Sequence, residues 1–229
     1  MKIAELFHSI QGEGKLAGMP SAFVRTSGCN LRCTWCDTPY ASWESEGEEM
    51  PIERIVAEVE NIGAKHVVIT GGEPMITAEI VELCEALKGR GKHLTMETAG
   101  TIYRPVKVDM ASLSPKLANS TPRNREGGRF AAAHEKNRLN LPVLQQFMDS
   151  APEFQIKFVV SAEEDLAEIE QVLGGLKGWK AEDVLLMPEG TEAAVLAERS
   201  KWIAEVCKRT GFRLCPRLHV DIWGHRRGV

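Results

Sequence analysis

The sequence has no long apolar run. None of its apolar stretches approaches the ~18 consecutive residues that a helix needs to cross a bilayer. The N-terminal stretch MKIAELFHSIQGEG meets polar residues too early to form the apolar centre of a secretory signal peptide. We therefore expect a soluble, cytoplasmic protein without a membrane partner.

An excess of charge of one sign is missing as well. The 28 Lys and Arg residues nearly balance the 32 Asp and Glu residues, which gives a formal net charge of −4. This composition gives no support for binding nucleic acid through bulk positive charge. The 229 residues contain no internal repeat and no linker, so we expect residues 1–229 to form one domain.

Cysteine is scarce outside one cluster, in which Cys29, Cys33 and Cys36 form a CxxxCxxC motif. Three thiolates this close together can bind one soft metal centre. A closed structural zinc site needs four ligands, and the chain has no second CxxC pair and no HxxxH. Because four cysteines normally hold a [4Fe–4S] cluster, three would leave one iron open to a non-protein ligand. The remaining cysteines are interpreted as core thiols: Cys84, Cys207 and Cys215.

Short β-rich apolar runs alternate with amphipathic stretches along most of the chain. This order predicts an α/β fold with a mostly parallel sheet. About six strands are too few for a closed eight-fold barrel and fit a partial β/α barrel, with functional residues at the carboxyl ends of the strands. Strands are predicted over Ala22–Thr26, His66–Thr70, Leu94–Glu97, Val106–Leu113, Gln155–Val160 and Val184–Met187. Helices are predicted over Ile52–Asn61, Ala78–Lys88, Ala162–Leu173 and Glu192–Thr210.

One segment, Asn119–Asn140, breaks this alternation. It is polar, contains glycine and is locally basic. We interpret it as a mobile solvated loop, with an active-site lid or a partner-docking surface as the alternative.

The cysteine motif follows the first predicted strand of a repeated β/α chain, and in this it resembles the radical S-adenosylmethionine (SAM) superfamily. The resemblance implies that Cys29, Cys33 and Cys36 bind a [4Fe–4S] cluster whose fourth iron is chelated by SAM. Reductive cleavage of SAM would then release a 5′-deoxyadenosyl radical. In such enzymes the cofactors carry the chemistry, and the protein places them and excludes water.

A second motif agrees with this resemblance. Thr70-Gly71-Gly72-Glu73-Pro74 is similar to the GGEP element that contacts the methionyl amine of SAM, and adjacent glycines let the backbone approach a ligand closely. For Lys157, an outward-facing strand lysine is an equal alternative to a ligand role. The residues that the resemblance implies in SAM binding are Trp35, Cys36, Asp37, Gly72, Glu73, Thr98, Ser114, Pro115, Lys116 and Lys157.

Further motifs resemble the QueE family of the queuosine and 7-deazapurine pathway. They are QGEG at 11–14, FVRTSGCNLRCTWCDT at 23–38, TGGEP, METAG, SPK and the C-terminal Arg217-Leu218-His219. The resemblance implies a lyase that converts 6-carboxy-5,6,7,8-tetrahydropterin to 7-carboxy-7-deazaguanine with loss of ammonia. Hydrogen abstraction by the radical would start the ring contraction, and SAM would be regenerated. It also implies Mg²⁺, a homodimer and an electron donor such as flavodoxin.

The same resemblance implies the substrate contacts. Arg25 can bind the substrate carboxylate with two parallel hydrogen bonds, although a structural ion pair is its alternative. Thr38 is similar to the family position that ligates Mg²⁺, but a residue before proline is also typical of a turn. No residue is assigned as catalytic. The implied substrate-binding residues are Ile10, Gln11, Gly12, Glu13, Arg25, Thr70, His219 and Val229.

The C-terminus departs from the family pattern. Some relatives end shortly after the histidine and use the terminal carboxylate on the substrate, whereas this chain continues for ten residues beyond His219. The role of the Val229 carboxylate therefore stays open, and a packed or surface histidine is the alternative for His219.

Two other functions remain as alternatives. An activating enzyme for a glycyl-radical protein would share the cysteine spacing, although QGEG and Arg25 would then have no purpose. A non-catalytic zinc-binding module would use the thiols without any radical chemistry.

Overall fold

A nine-stranded sheet forms the centre of the computed structural model, which describes all residues from Met1 to Val229. Its strand order is β3-β1-β2-β4-β5-β6-β7-β8-β9. The strands are β1 (Lys2–Ile10), β2 (Pro20–Thr26), β3 (Glu48–Glu49), β4 (His66–Gly71), β5 (His93–Thr98), β6 (Met110–Leu113), β7 (Glu153–Val160), β8 (Val184–Pro188) and β9 (Arg213–Leu214).

The sheet is mostly parallel and does not close. From β2 to β9 every neighbouring pair is parallel, while β1 runs antiparallel to both β2 and β3. The two edges are strands of two residues each, which leaves little unpaired backbone exposed. The prediction of an incomplete barrel is confirmed.

Eight helices accompany the sheet. The four predicted ones are α2, α3, α6 and α7 below, and the glycines that follow α2 and α7, Gly63 and Gly211, adopt the left-handed conformation that ends a helix (φ 76° in both). None of the helices is both long and apolar enough to cross a membrane. The bounds are α1 (Pro39–Ser42), α2 (Ile52–Ile62), α3 (Ile80–Gly89), α4 (Ala131–Asn137), α5 (Leu141–Ser150), α6 (Asp165–Gly174), α7 (Ala193–Thr210) and α8 (Leu218–Trp223).

All six predicted strands are present, and five of them have bounds within two residues of the prediction. The strand predicted over Val106–Leu113 begins only at Met110. The Val106 amide donates to the carbonyl of Arg104 at 2.8 Å, so the backbone there makes a local turn instead of a ladder. The strands that the sequence did not predict are β1, β3 and β9.

The interpretation of Asn119–Asn140 as a mobile solvated loop is wrong. The segment contains two short 3₁₀ turns and α4, and it buries Ser120, Thr121 and His134. The next helix, α5, begins where the Asn140 side chain accepts the Val143 amide hydrogen at 3.4 Å.

A core of 37 buried residues joins the sheet to its helices. The apolar faces of α2 and α3 contribute Ile55, Val59, Leu83 and Leu87, none of which is measurably exposed. Complete burial of such a side chain contributes about 1.5–3 kcal/mol. The predicted core thiols are all buried: Cys84 and Cys207 in this core, and Cys215 in a smaller cluster.

Candidate active site

A cavity of about 420 Å³ lies at the carboxyl ends of the parallel strands. Thr70, Thr98 and Ser114 reach it from the ends of β4, β5 and β6, as the parallel sheet predicts. The loop before β2 and the C-terminal tail complete its wall. Predicted site residues in the lining are Ile10, Gln11, Gly12, Glu13, Arg25, Cys29, Cys33, Trp35, Cys36, Asp37, Thr38, Thr70, Gly72, Thr98, Ser114, Lys116, Lys157, His219 and Val229.

The three clustered cysteines lie on the loop after β2 and all line this cavity as free thiols. Burial raises the pKa of Cys29 and of Cys33 to about 12, so both are protonated without a metal. The Leu31 amide donates to Cys29 Sγ at 3.3 Å, and Cys36 Sγ lies 3.0 Å from Ser42 Oγ. Iron would displace the thiol protons, and such hydrogen bonds to sulfur tune a cluster.

The donor set fits a cluster better than a single ion. No group of three or more His, Cys, Asp or Glu side chains is placed to hold one metal ion. A closed zinc site needs four donors around one point, whereas in an iron–sulfur cluster each thiolate binds its own iron. The three thiols of the loop therefore suit a [4Fe–4S] cluster with one iron left to an outside ligand.

Gly72 brings the β4 loop directly beneath the start of the cysteine loop. A Cβ atom at this position would lie 2.2 Å from the Gly28 carbonyl oxygen, so only glycine permits the approach. The Glu73 amide donates to the same carbonyl at 2.9 Å. The two loops that are expected to meet SAM are thus locked to each other.

Glu73 and Pro115 are the two predicted site residues that do not line the cavity. The Glu73 carboxylate is buried and accepts hydrogen bonds from the Met75 amide (3.1 Å), the Thr98 hydroxyl (2.7 Å) and the Ala99 amide (2.8 Å). Burial raises its pKa. Its structural task is to tie the β4 loop to the end of β5.

Lys116 is a cation of the cavity wall without a carboxylate partner. Its Nζ donates to the carbonyl oxygen of Ser114 at 2.6 Å and to the Ser114 hydroxyl at 2.8 Å. Both bonds are local and leave the positive charge available to an anionic group of a ligand.

Glu13 is held by two buried cations. Lys157 Nζ donates to one of its oxygens, and Arg217 Nε donates to the other at 3.1 Å. Burial alone would raise the pKa of Glu13, but Lys157 and Arg217 hold it well below its usual value. Arg217 also binds Asp37, beside the last cluster cysteine, and thereby joins the QGEG loop to the cysteine loop. Lys157 is therefore inward-facing, not the outward-facing strand lysine of the alternative.

Glu97 is a carboxylate of the cavity that forms no salt bridge, although its charge helps to raise the pKa of Lys157. Gln11 Nε2 donates to it at 3.0 Å and Thr70 Oγ1 at 2.9 Å. Glu97 lies at a strand end where the sequence predicts SAM contacts, but it was not assigned a ligand role of its own, and Arg217 is a lining residue that was not predicted. The sequence could have indicated a role for both, because Glu97 stands in METAG beside Thr98 and Arg217 stands two residues before His219.

Arg25 combines the two roles considered for it. Its Nε donates to Glu5 at 2.9 Å, and the Tyr40 hydroxyl donates to the same oxygen at 2.6 Å. The guanidinium still lines the cavity and packs over the Phe7 ring at 5.9 Å.

The Thr38 hydroxyl has almost no partner within the protein. Although Thr38 precedes α1, its side chain makes no capping hydrogen bond, and Oγ1 approaches only Cys36 Sγ, at 3.8 Å. Its backbone carbonyl accepts from Ala41 and Ser42 instead.

The chain's C-terminal part contributes a further wall of the cavity. His219 lies on Gly12 so tightly that a Cβ atom there would be 1.9 Å from His219 Nδ1. Burial lowers the pKa of His219. Beyond α8, a tail of residues 225–229 also lines the cavity. The tail is attached where Arg227 donates to Glu46 at 2.9 Å and His225 Nε2 lies 2.9 Å from the Asp37 carbonyl oxygen.

Known proteins share both the sequence and this architecture. Residues 23–116 match the family model of the radical SAM superfamily, whose cofactors are a [4Fe–4S] cluster and SAM. The chain is 44% identical over 227 residues to 7-carboxy-7-deazaguanine synthase of Rhodopirellula baltica, covering 99% of this chain and 88% of that protein. It is 46% identical over 233 residues to the Halobacterium salinarum enzyme of the same name, covering 97% and 90%.

A solved structure agrees with these sequence matches. The crystal structure of QueE from Escherichia coli is similar with a TM-score of 0.69 and 27% identity, covering 95% of this chain and 94% of that one. The chain therefore belongs to the 7-carboxy-7-deazaguanine synthase family, a family of radical SAM lyases.

Proposed function

We propose that this chain converts 6-carboxy-5,6,7,8-tetrahydropterin to 7-carboxy-7-deazaguanine with loss of ammonia. The observation that carries the proposal is one cavity in which the cysteine loop shares a wall with Gln11, Arg25 and His219. When bound, the cluster and SAM supply the radical that starts the reaction. The residues of the chain hold these groups, orient the substrate and exclude water.

The cofactor side of the cavity is built from the three cysteines and from the ends of β4 to β6. Gly72 offers backbone at a point where no side chain could fit. Lys116 supplies a positive charge for the SAM carboxylate, because no protein carboxylate neutralises it. Trp35, Asp37, Thr98, Ser114 and Lys157 remain proposed contacts, and Glu73 and Pro115 would act through the loops that they shape.

The substrate side carries one side-chain carboxylate that forms no salt bridge, that of Glu97. A pterin edge presents neighbouring N–H donors, and Glu97 is acceptor-only when ionised. Gln11 is fixed at both ends of its amide, since Nε2 donates to Glu97 and Oε1 accepts from the Glu13 amide at 3.2 Å. Neighbouring proposed contacts are Ile10, Gly12 and Thr70. We infer that Glu97 binds the donors of the pterin edge and that Gln11 keeps it aimed.

Positive charge for the substrate carboxylate comes from two directions. Arg25 lines the cavity while bound to Glu5, and Arg226 of the tail lines it without an acidic partner. His219 and Val229 are proposed to complete this end of the pocket. Thr38 is the proposed ligand of Mg²⁺, because its hydroxyl is almost unused and the ion takes few protein ligands.

The test is an anaerobic assay of the reconstituted enzyme with SAM, dithionite, Mg²⁺ and the carboxytetrahydropterin. We expect 7-carboxy-7-deazaguanine and ammonia in equal amounts. Absence of the product, with transfer of a glycyl radical to a partner protein, would favour the activating-enzyme alternative. A flavodoxin-type donor, a homodimer and a single domain over residues 1–229 are part of the proposal and rest on the family resemblance and on the sequence.

A further inference from the structure

The polar segment 119–134, which we call the brace, packs against the back of the cysteine loop 29–36. Its contacts fall on the residues between the cysteines. The Thr34 amide donates to the Ser120 carbonyl at 2.8 Å, and Trp35 Nε1 donates to Asn119 Oδ1 at 3.3 Å. The Arg32 amide donates to His134 Nδ1 at 3.1 Å. Each spacer of the CxxxCxxC motif is therefore attached to the brace.

His134 is the buried centre of these contacts, with 2% of its surface exposed. Its Nε2 lies 2.8 Å from Ser120 Oγ, and that hydroxyl donates its hydrogen to the Leu117 carbonyl at 2.6 Å. The Ser120 oxygen must then accept from Nε2–H, which leaves the lone pair of Nδ1 for the Arg32 amide. Only the neutral tautomer protonated at Nε2 satisfies all three bonds, and burial lowers the His134 pKa to about 4.

Aromatic rings clamp the outer face of the same loop. The Arg32 guanidinium lies 5.6 Å from the centroid of the Phe130 ring, and Arg125 lies 3.8 Å from that of Trp43. Trp43 Nε1 donates to the Cys33 carbonyl at 3.1 Å. Hydrogen bonds from the brace and from Trp43 thus hold the backbone of the loop, while its thiols line the cavity.

We propose that His134 is a positioning residue of the iron–sulfur site, which through the Arg32 amide fixes the spacer between Cys29 and Cys33. The proposal rests on the proposed function in one respect, that these thiols hold a cluster. The spacer is the longest gap of the motif, and it also contains the Leu31 amide that bonds Cys29 Sγ. If His134 orders this spacer before the cluster binds, cluster binding costs less backbone conformational entropy. It also fixes a hydrogen bond that sets the properties of the cluster.

The test compares His134→Leu with His134→Gln. Leucine removes both hydrogen bonds, whereas glutamine offers a carbonyl toward Arg32 and an amide toward Ser120. The exposed His8 provides the matched control, His8→Leu. The measurements are circular dichroism of the apoprotein, the rate and extent of iron and sulfide incorporation in anaerobic reconstitution, and the electron paramagnetic resonance spectrum of the reduced cluster.

We expect His134→Leu to keep the helix content of the parent, to incorporate iron about 10-fold more slowly, and to show a changed spectrum. His134→Gln should recover most of the rate, and His8→Leu should match the parent. A parental rate and spectrum in His134→Leu would overturn the proposal. If that variant does not fold, Ser120→Ala decides, because it removes the hydrogen bond at Nε2 that fixes the tautomer of His134 and keeps the imidazole itself. Parental behaviour of Ser120→Ala would then overturn the proposal.

The outcomes also separate this inference from the proposed function. Slow cluster loading in His134→Leu, combined with a parent that makes no deazaguanine, would support His134 and refute the reaction. If the parent makes the product and His134→Leu loads its cluster normally, the proposed reaction is supported and the role of His134 is refuted.

Discussion

Arg217 donates to Glu13 at 3.1 Å although 204 residues separate them in the sequence. The same guanidinium binds Asp37, so a single side chain holds the QGEG loop and the cysteine loop together. Burial alone would lower the pKa of Arg217, but Asp37 and Glu13 raise it. Arg217 is therefore a permanent cation in the wall of the cavity.

Arg217→Ala is expected to lower the free energy of unfolding by about 1–3 kcal/mol, because it leaves the partly exposed Asp37 without its ion-pair partner and the buried Glu13 with Lys157 alone. Denaturant unfolding of the anaerobic apoprotein measures this loss. Arg213→Ala, at an exposed arginine of β9, should change stability by less than about 0.5 kcal/mol. Equal effects of the two variants would show that the network contributes little.

Glu97→Gln should raise KM for the carboxytetrahydropterin about 10- to 100-fold, because an amide replaces the one side-chain carboxylate of the cavity that forms no salt bridge. The cluster and SAM binding should be unchanged. Glu97 is hydrogen-bonded to Gln11 and Thr70, and neither residue is a predicted ligand of the cluster or of SAM. Steady-state kinetics and equilibrium SAM binding test this. Glu170→Gln, at an exposed position of α6, serves as control. A normal KM in Glu97→Gln would remove Glu97 from substrate recognition.

Thr38→Ala is expected to reduce turnover at limiting Mg²⁺ and to leave the cluster intact. The hydroxyl neither caps α1 nor bonds the core, so its loss should not disturb the fold. Thr38→Ser retains the oxygen and should recover most of the activity. The measurement is activity against Mg²⁺ concentration, alongside the iron content. Loss of iron in Thr38→Ala would assign the hydroxyl to the cluster loop instead.

The tail is expected to affect substrate retention more than stability. A chain ending at Gly224 loses Arg226, Arg227 and Val229 from the cavity wall, so KM for the substrate should rise several-fold. Stability should fall by less than about 1 kcal/mol, because the ion pair of the tail with Glu46 is exposed. Arg227→Ala removes the contact with Glu46 and one lining cation while it leaves Arg226 and Val229 in the chain, and it should give an intermediate KM. An unchanged KM on truncation would show that the tail is not part of the site.

His134 should make the stability of the apoprotein depend on pH. Burial lowers its pKa from the ordinary 6.5 to about 4, so between these values the unfolded chain binds more protons than the folded one. The free energy of unfolding therefore rises with pH in this window. The contribution of His134 to it is complete above about pH 6.5 and is lost as the pH falls toward 4. The contribution is on the order of 2–3 kcal/mol. Unfolding at pH 5 and pH 7.5 should show a smaller difference in His134→Gln than in the parent, and an equal difference would contradict the burial of a neutral ring.

The sequence predicted the elements whose burial follows a simple period. The central strands are apolar runs, and α2 buries Ile55, Val56 and Val59 at helical spacing. Strand β1 escaped prediction because it is half-buried along most of its length and so shows no clear alternation. Helix α5 escaped although Asn140 and Pro142 form a recognisable start.

The residues of the site also divide into those that the sequence could predict and those that it could not. Residues within a motif, such as Cys29 and Gly72, could be predicted because their neighbours in the chain are their neighbours in space. The partners of Glu13 could not, because Lys157 and Arg217 reach it only once the whole sheet has formed. The burial of His134 likewise depends on the cysteine loop that covers it.

The pairing of Glu13 with residues 144 and 204 positions away also governs the order of biogenesis. Contacts of such sequence separation form late in folding, since closing the intervening loop costs entropy before the contact can repay it. On the ribosome, Lys157 and Arg217 leave the exit tunnel long after the three cysteines. The cysteine motif is therefore synthesised before the residues that complete the cavity around it. Delivery of iron and sulfide to the finished cavity has to wait until synthesis of the chain has passed Arg217.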